Sequence, residues 1–487
     1  MPHPTAPDRT GATATIANPH STPPPMTVIL KKPQTGSVPL HVVDAAGFAA
    51  ASGALSPMQR QWLATLGFQG APDTHALLPG DDGRLAAVWA GARVGSPWAL
   101  ALLPRALPAG RYHLAEGGVA LDPALLAMAW QLGSYSFGRY KAPARETAQL
   151  QLAPGTAAQR GLMVAEAMTL VRDLVNTPAE DLGPAQLAQA AQKLAKAHGA
   201  RFSQVVGDAL LKKNFPAIHA VGRAADAATR APRLIELNWG KPKDPKLTLV
   251  GKGVCFDSGG LDIKSADGMR LMKKDMGGAA HVLGLAQMIM AARLPVRLQV
   301  LIPAVENAIA GNAFRPGDVF KTRKGLHIEI GNTDAEGRVI LCDALAYGAE
   351  GKPELMIDMA TLTGAARVAL GGQLPALFCR RMTLARELVD RGLALQDPLW
   401  HLPLWRDYHG GIESDIADIV NTGKGPAGGA INAALFLDDF VPADLDWLHL
   451  DIFAWNDSAR PGRPSGGDAQ ALRTLLSYLE ERFSTPR

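Results

Sequence analysis

Two short stretches of this chain hold the residues best suited to chemistry. The first runs Gly251-Lys252-Gly253-Val254-Cys255-Phe256-Asp257-Ser258-Gly259-Gly260 and is followed by Lys264 and Asp275; the second is Asn332-Thr333-Asp334-Ala335-Glu336-Gly337-Arg338. Singly, these residues are ordinary. An aspartate placed like Asp275, just ahead of an apolar helical run, most often caps that helix, and a lone lysine is most often a solvated surface charge. Together they say more, because each stretch lies between a β-like run and a helix-like one, and in a parallel sheet such junctions emerge at one edge. Asp257, Asp275, Asp334 and Glu336 would then converge, and carboxylates so placed resist joint ionisation unless cations accompany them. Two divalent ions would balance the charge. That is the arithmetic of a two-metal site, whose ions, roughly 3.5–4 Å apart, activate a shared water. Lys252 is the unusual member: an amine binds metal only when neutral, and its ordinary pKa is roughly 10.4, yet a neighbouring dication can hold it deprotonated. Oxygen ligands suit Mg or Mn, whereas a neutral amine also admits Zn or Co.

Other chemistries fit less well. In a dinucleotide fingerprint, G-x-G-x-x-G, the third glycine would fall on Phe256, and no helix follows at once. Neither Lys252 nor Lys424 is followed by the Ser or Thr that a phosphate-binding P-loop needs. Ser258 is not in a nucleophile elbow, since Phe256 stands where that turn requires glycine.

The elements that must position these residues can be read from the apolar periodicity. Strands are expected over 233–237, 247–250, 296–302, 327–330 and 355–359, with helices over 277–293 and 338–347 between them. Such alternation implies an α/β fold with a mainly parallel central sheet covered by helices on both faces. Upstream, a helix over 157–175 reads as a connector, and another over 184–199 has proline in its first turn and glycine at its end. From 26 to 145 short apolar runs mix with Gly and Pro, suggesting a smaller α/β domain that carries no chemical motif. The expected organisation is a flexible tail over 1–25, an N-terminal α/β domain over 26–155, a connecting helix over 156–180 and a catalytic domain over 181–487.

Composition sets outer bounds. The chain has 487 residues, 49 Lys+Arg against 45 Asp+Glu, 47% hydrophobic residues and 19% charged ones, which excludes a disordered or acidic solvating protein. A net charge of +4 argues against a dedicated nucleic-acid binder, whose basic face drives affinity by counterion release. Cys255, Cys342 and Cys379 lie far apart and form no C-x-x-C pair, so neither a disulfide framework nor a thiolate zinc site is indicated. No apolar run reaches the roughly 18 residues of a membrane span, and the first 25 residues lack the apolar block of a signal peptide. A cytoplasmic location, with no membrane partner and no nucleic acid, is expected.

The segments Val250-Gly-Lys-Gly-Val-Cys-Phe-Asp-Ser-Gly-Gly, Lys274-Asp-Met-Gly-Gly-Ala-Ala and Asn332-Thr-Asp-Ala-Glu-Gly-Arg resemble the signature of the leucyl aminopeptidase (cytosol aminopeptidase) family of dinuclear metallopeptidases, peptidase family M17. The resemblance extends from Asp173-Leu-Val-Asn-Thr-Pro through Ala360-Thr-Leu-Thr-Gly-Ala and Gly428-Gly-Ala-Ile-Asn-Ala-Ala-Leu-Phe-Leu to His449-Leu-Asp-Ile. Carried over residue by residue, it implies metal ligation by Lys252, Asp257, Asp275, Asp334 and Glu336, with Asp257 and Glu336 as bridging ligands. It makes Lys264 and Arg338 the catalytic pair, with a bicarbonate held by the arginine. Met272, Thr361, Leu362 and Gly364 would line the pocket for the first side chain. It further implies two metal ions per subunit, Mn or Zn before Mg or Co, a homohexamer, and peptide substrates with a free N-terminus from which Leu or another apolar residue is released.

One departure bears on specificity. After His449-Leu-Asp-Ile, Phe453-Ala454-Trp455 stand where many relatives carry small residues; the rings either pack in the core or interface, or narrow the pocket. Two alternatives to the aminopeptidase reading are another dinuclear metallohydrolase, such as a phosphoesterase, and an accessory DNA-binding regulator.

Overall fold

A computed structural model describes residues 26–484, so the tail expected over 1–25 lies outside the described residues. The first sheet has six strands in the order Val28–Leu30, Gln149–Leu152, Arg111–Leu114, Val38–Val43, Leu85–Gly91, His75–Pro79. All of its pairings are parallel except the last. Helix Pro123–Ser134 packs on it, started by Asp122, whose side chain accepts the Ala124 and Leu125 N–H groups.

The second sheet has nine strands. Eight follow the order Trp400–His401, Ala376–Cys379, Trp447–Asp451, Leu355–Ala360, Lys246–Gly251, Arg297–Asn307, Arg233–Trp239, Arg201–Val206, and the ninth, Gly253–Asp257, pairs with the far part of Arg297–Asn307. The strands that hold the site are parallel neighbours; Arg233–Trp239 and Arg201–Val206 extend the edge antiparallel. Alternation along the strands divides the core in two. Leu247, Leu249, Leu355, Ile357 and Met359 join one apolar cluster with helices Pro184–His198 and Gly277–Ala291. Val250, Met356 and Ala360 join the other with helices Pro216–Gly222, Glu336–Glu350 and Gly429–Asp438. Helices therefore cover both faces, as a parallel sheet requires.

The 21-residue helix Thr156–Asn176 runs between the two sheets. Its Ala158 and Leu162 belong to the core of the six-stranded sheet, while Val164, Met168 and Val171 belong to that of the nine-stranded one. Helix Pro184–His198 ends on Gly199 at φ +67°, whose N–H caps Ala195 and Lys196, the left-handed stop that glycine adopts without a Cβ penalty.

Two local expectations are corrected. The glycine-rich stretch after Gly251, which its glycines lead one to expect as a loop, is not one: Gly253–Asp257 is a strand, and its pairing with Arg297–Asn307 shifts register between Val254 and Phe256. The strand before the second stretch, His327–Glu329, does not belong to the main sheet. It forms a separate three-stranded sheet with Val319–Lys321 and Ile419–Val420.

Candidate active site

Lys252 occupies the break between strands Lys246–Gly251 and Gly253–Asp257. Its N–H donates to Met359 O (3.0 Å) and its carbonyl accepts from Ala279 N (2.8 Å), so it bridges the sheet to helix Gly277–Ala291. Asp257 ends the second of these strands. Asp275 lies in the short 3-10 turn Met272–Met276 ahead of the helix, and no side chain caps that helix. The capping role that is commonest for an isolated aspartate is therefore not the one Asp275 has here; its Oδ1 accepts from Thr361 Oγ1 at 2.8 Å. Asp334 and Glu336 stand at the start of helix Glu336–Glu350, beside the 3-10 turn Thr333–Ala335.

These groups converge. Oxygens of Asp257, Asp334 and Glu336 all lie within 4.8 Å of one another. Lys252 Nζ reaches Asp275 Oδ2 (2.7 Å), Glu336 Oε1 (2.9 Å) and the Thr361 carbonyl (3.0 Å), and Lys264 Nζ reaches Asp257 Oδ2 (2.8 Å) and Asp334 Oδ1. Burial and the neighbouring Asp275 push Asp257 up to about 6. Burial and Asp257 hold Glu336 well above the ordinary carboxylate range. Burial would also raise Asp275, but Lys252 and Lys274 outweigh it and hold that carboxyl low. Burial alone would lower the amine of Lys252; Asp275, Glu336 and Asp257 outweigh it and hold it high. The two lysines thus stand as counter-cations among four carboxyl groups, and Asp257 and Glu336 are held up because two lysines do not balance four charges there. Glu336 Oε2 is buried with no hydrogen-bond partner. Spare lone pairs in an acidic, buried, oxygen-rich cluster are what hard or borderline divalent ions take up, so the residues fit such ions.

A pocket of about 260 Å³ opens on this cluster, lined among others by Lys252, Asp257, Lys264, Asp275 and Asp334, together with Met272, Thr361, Leu362 and Gly364. Glu336 and Arg338 are not part of its lining. Glu336 sits behind Lys252. Arg338 is buried two residues on, with Nε unpartnered, and burial draws its guanidinium down to about 10 against the pull of Glu336 and Asp451. A buried guanidinium with a free donor suits a small anion.

Several positioning residues escaped the sequence reading. Asn307 donates to Asp257 Oδ1 (2.8 Å) and to Thr333 O (3.0 Å). Thr333 Oγ1 donates to Gly259 O (2.6 Å) and accepts from Asp262 N (2.8 Å), while Asp262 Oδ2 accepts from Thr333 N (2.7 Å). Asn421 accepts from Gly331 N (2.8 Å) and donates to Asn332 O (2.8 Å). Asp451 accepts from the N–H groups of Leu362 and Thr363 and from the Thr363 hydroxyl (2.6 Å). The bonds of Asn307 and Thr333 stitch the two acidic stretches together, Asn421 steadies the second of them, and Asp451 holds the pocket loop at Leu362 and Thr363. The only sequence signal for them is side-chain type near a strand end, which is shared with ordinary turn residues.

Gly337 packs against Lys252 directly. A Cβ there would lie 2.6–2.8 Å from Lys252 Cδ, Cε and Nζ, below any real contact distance. Gly337→Ala is expected to displace the amine and lower activity by tenfold or more while far-UV circular dichroism stays that of the wild type; activity within twofold would show that Lys252 has room to move.

The far wall rests on Gln470. Its Oε1 accepts from Phe453 N (3.0 Å) and Ala454 N (2.9 Å), its Nε2 donates to Gly372 O (2.9 Å), and its N–H donates to His281 Nε2 (3.0 Å). His281 Nδ1 faces Gly277 O at 2.7 Å, so the ring is neutral, with its proton on Nδ1. Burial pushes its pKa down to about 4. Between about pH 6.5 and pH 4 the unfolded chain binds a proton there that the folded one does not. Stability from this group is therefore full above about 6.5, falls as pH drops through that window by on the order of 3 kcal/mol, and is level below it. Chemical denaturation across the window should show a shallower pH dependence for His281→Gln than for the wild type; equal slopes would disprove the assignment.

Phe453 and Trp455 part company. Phe453 lines the pocket, its ring so close to Gly372 that a Cβ there would meet it at 2.9 Å. Trp455 packs at the margin of the core.

The sequence profile of the "Cytosol aminopeptidase family, catalytic domain" matches residues 169–476, and that of the "M17 aminopeptidase, N-terminal domain" matches residues 38–153. The chain belongs to the cytosol aminopeptidase family. It is accordingly a metal-dependent aminopeptidase, a hydrolase, and its fold is that of the family. A probable cytosol aminopeptidase from Syntrophotalea carbinolica is 42% identical over 368 residues, which cover 72% of this chain and 73% of that protein. The crystal structure of the cytosol aminopeptidase from Coxiella burnetii, 46% identical, superposes with a TM-score of 0.89 over 94% of this chain and 99% of that one. The bottromycin maturation enzyme BotP, solved in complex with Mn, is 32% identical with a TM-score of 0.80, over 94% of this chain and all of its own. Among the described residues no helix is long and apolar enough to cross a membrane.

Proposed function

We propose that this family member releases N-terminal residues, Leu or other apolar ones first, from peptides in the cytoplasm, with two divalent ions at the carboxylate cluster. The single observation that carries the reading is the convergence of Asp257, Asp334 and Glu336 oxygens within 4.8 Å at the floor of a pocket. Lys252, Asp257, Asp275, Asp334 and Glu336 would hold the ions, Mn or Zn before Mg or Co; the Mn complex of BotP supports the first of these. When bound, the ions supply Lewis acidity and a water acidic enough to act as nucleophile near neutral pH.

The protein's own groups do the rest. Lys264 faces the pocket as a cation and donates to the oxygen on which negative charge develops at the scissile carbonyl. Arg338, with its unpartnered Nε–H, would hold a bicarbonate, which would supply a group able to accept a proton. Met272, Leu362 and the methyl of Thr361 offer apolar surface to the first side chain, and Gly364 leaves it room. The homohexamer implied by family resemblance belongs to this proposal as well.

The test is an aminopeptidase assay on metal-stripped protein with Mn, Zn, Co and Mg restored separately. Activity on leucyl anilide should be lost on stripping and return with at least one ion. Full activity after complete stripping would overturn the reading.

A further inference from the structure

Lys274 stands in the pocket wall, only 6% exposed. Its Nζ lies 4.9 Å from the centroid of the Phe453 ring, and the guanidinium carbon of Arg367 lies 5.0 Å from the same centroid. Arg367 also lines the pocket, from the exposed side of helix Gly364–Leu370. Among the described residues neither cation has a carboxylate within ion-pair distance. The nearby acids are spoken for: Asp275 pairs with Lys252 and accepts from Thr361, and Asp451 accepts from Leu362 and Thr363. Lys274 feels Asp275 next to it in the chain but shares that carboxylate with Lys252, which pairs with it directly; a buried cation whose own close contact is an aromatic face is poorly compensated. The face shared by both cations belongs to Phe453, which with Met272 and Gly372 bounds the space assigned to the first side chain.

We propose that Lys274 and Arg367 make this pocket a charge filter, accepting N-terminal Asp and Glu beside apolar residues and rejecting N-terminal Lys and Arg. The inference rests on the aminopeptidase reading and adds to it the class of first residue. An acidic side chain entering beside Phe453 would give two unpaired cations a charge-assisted partner, while a basic one would meet like charge in a low-dielectric wall.

The experiment compares kcat/KM on anilides of Leu, Met, Glu, Gln, Lys and Arg for the Mn-supplemented wild type, Lys274→Met and Arg367→Gln. Glu and Gln have nearly the same shape, so their ratio isolates charge. The wild type should prefer Glu to Gln by about tenfold, the low end of what a hydrogen bond to a charged group contributes, and should leave Lys and Arg nearly untouched. Each variant should lower the Glu:Gln ratio and raise Lys relative to Met. Both are ratios within one protein, independent of any overall loss from altering a neighbour of Asp275; Arg367→Gln lies outside that neighbourhood. Leucyl turnover with a Glu:Gln ratio near one in the wild type, or a ratio that neither variant moves, would overturn the filter alone. No hydrolysis of any anilide would overturn the aminopeptidase reading, and the filter with it.

Discussion

Lys264→Ala is expected to lower kcat by on the order of 10²–10³ while the protein still binds its metal ions. The magnitude is that of removing one donor aimed at developing negative charge. Retention of metal follows from electrostatics. Lys264 Nζ sits 2.8 Å from Asp257 Oδ2 and against Asp334 Oδ1; burial would lower its amine, but Asp257 and Asp334 outweigh that and hold it above its ordinary value. It is thus a fixed cation competing with any ion for the same oxygens, and its loss makes the cluster more negative. Elemental analysis beside turnover checks both halves. Unchanged turnover would remove Lys264 from the chemistry, whereas turnover lost together with metal would make it a structural support of the cluster.

The complementary variant, Asp334→Ala, should do the opposite and lose metal. Replacing a residue that merely supports a ligand typically costs 10–100-fold in metal affinity, so removal of a ligand should cost at least about 100-fold, with activity recoverable only at high added metal. The fold should tolerate it. Asp334 lies at the mouth of the helix Glu336–Glu350 with its side chain 34% exposed, so truncation opens no internal cavity. Glu336, buried behind Lys252, is a poorer target, since its loss would also strip a buried amine of a partner. A full complement of ions in Asp334→Ala by elemental analysis would count against the ligand set.

How far the sequence alone could reach is visible in these same residues. Lys252, Asp257, Asp275, Asp334 and Glu336 stood out because acids and a lysine clustered at strand–helix junctions. The apolar run Leu247-Thr-Leu-Val marked a strand, and the alternation of such runs with helical ones marked a sheet covered on both faces. The strand Gly253–Asp257 was hidden because its glycines read as a loop; only its pairing with Ala304–Asn307 makes it extended. His327–Glu329 was misplaced for a related reason: its partners include Ile419 and Val420, some ninety residues away, and three-residue strands carry too little pattern to name a sheet. The convergence survived that error because Thr333 and Asn307 pin the second stretch to the first. The cationic wall was hidden too. Lys274 looked like any lysine until Phe453, far along the chain, was placed on it.

The helix Thr156–Asn176 has a wider meaning for the molecule. It gives Ala158 and Leu162 to one core and Val164, Met168 and Val171 to the other, and its neighbour Pro123–Ser134 does likewise through Trp130 and Leu132. Neither core is complete without side chains from helices it shares with the other. Melting either one strips apolar cover from the helices that feed the second, so the two sheets behave as one cooperative folding unit, whose stability the chemically silent first sheet lends to the metal cluster.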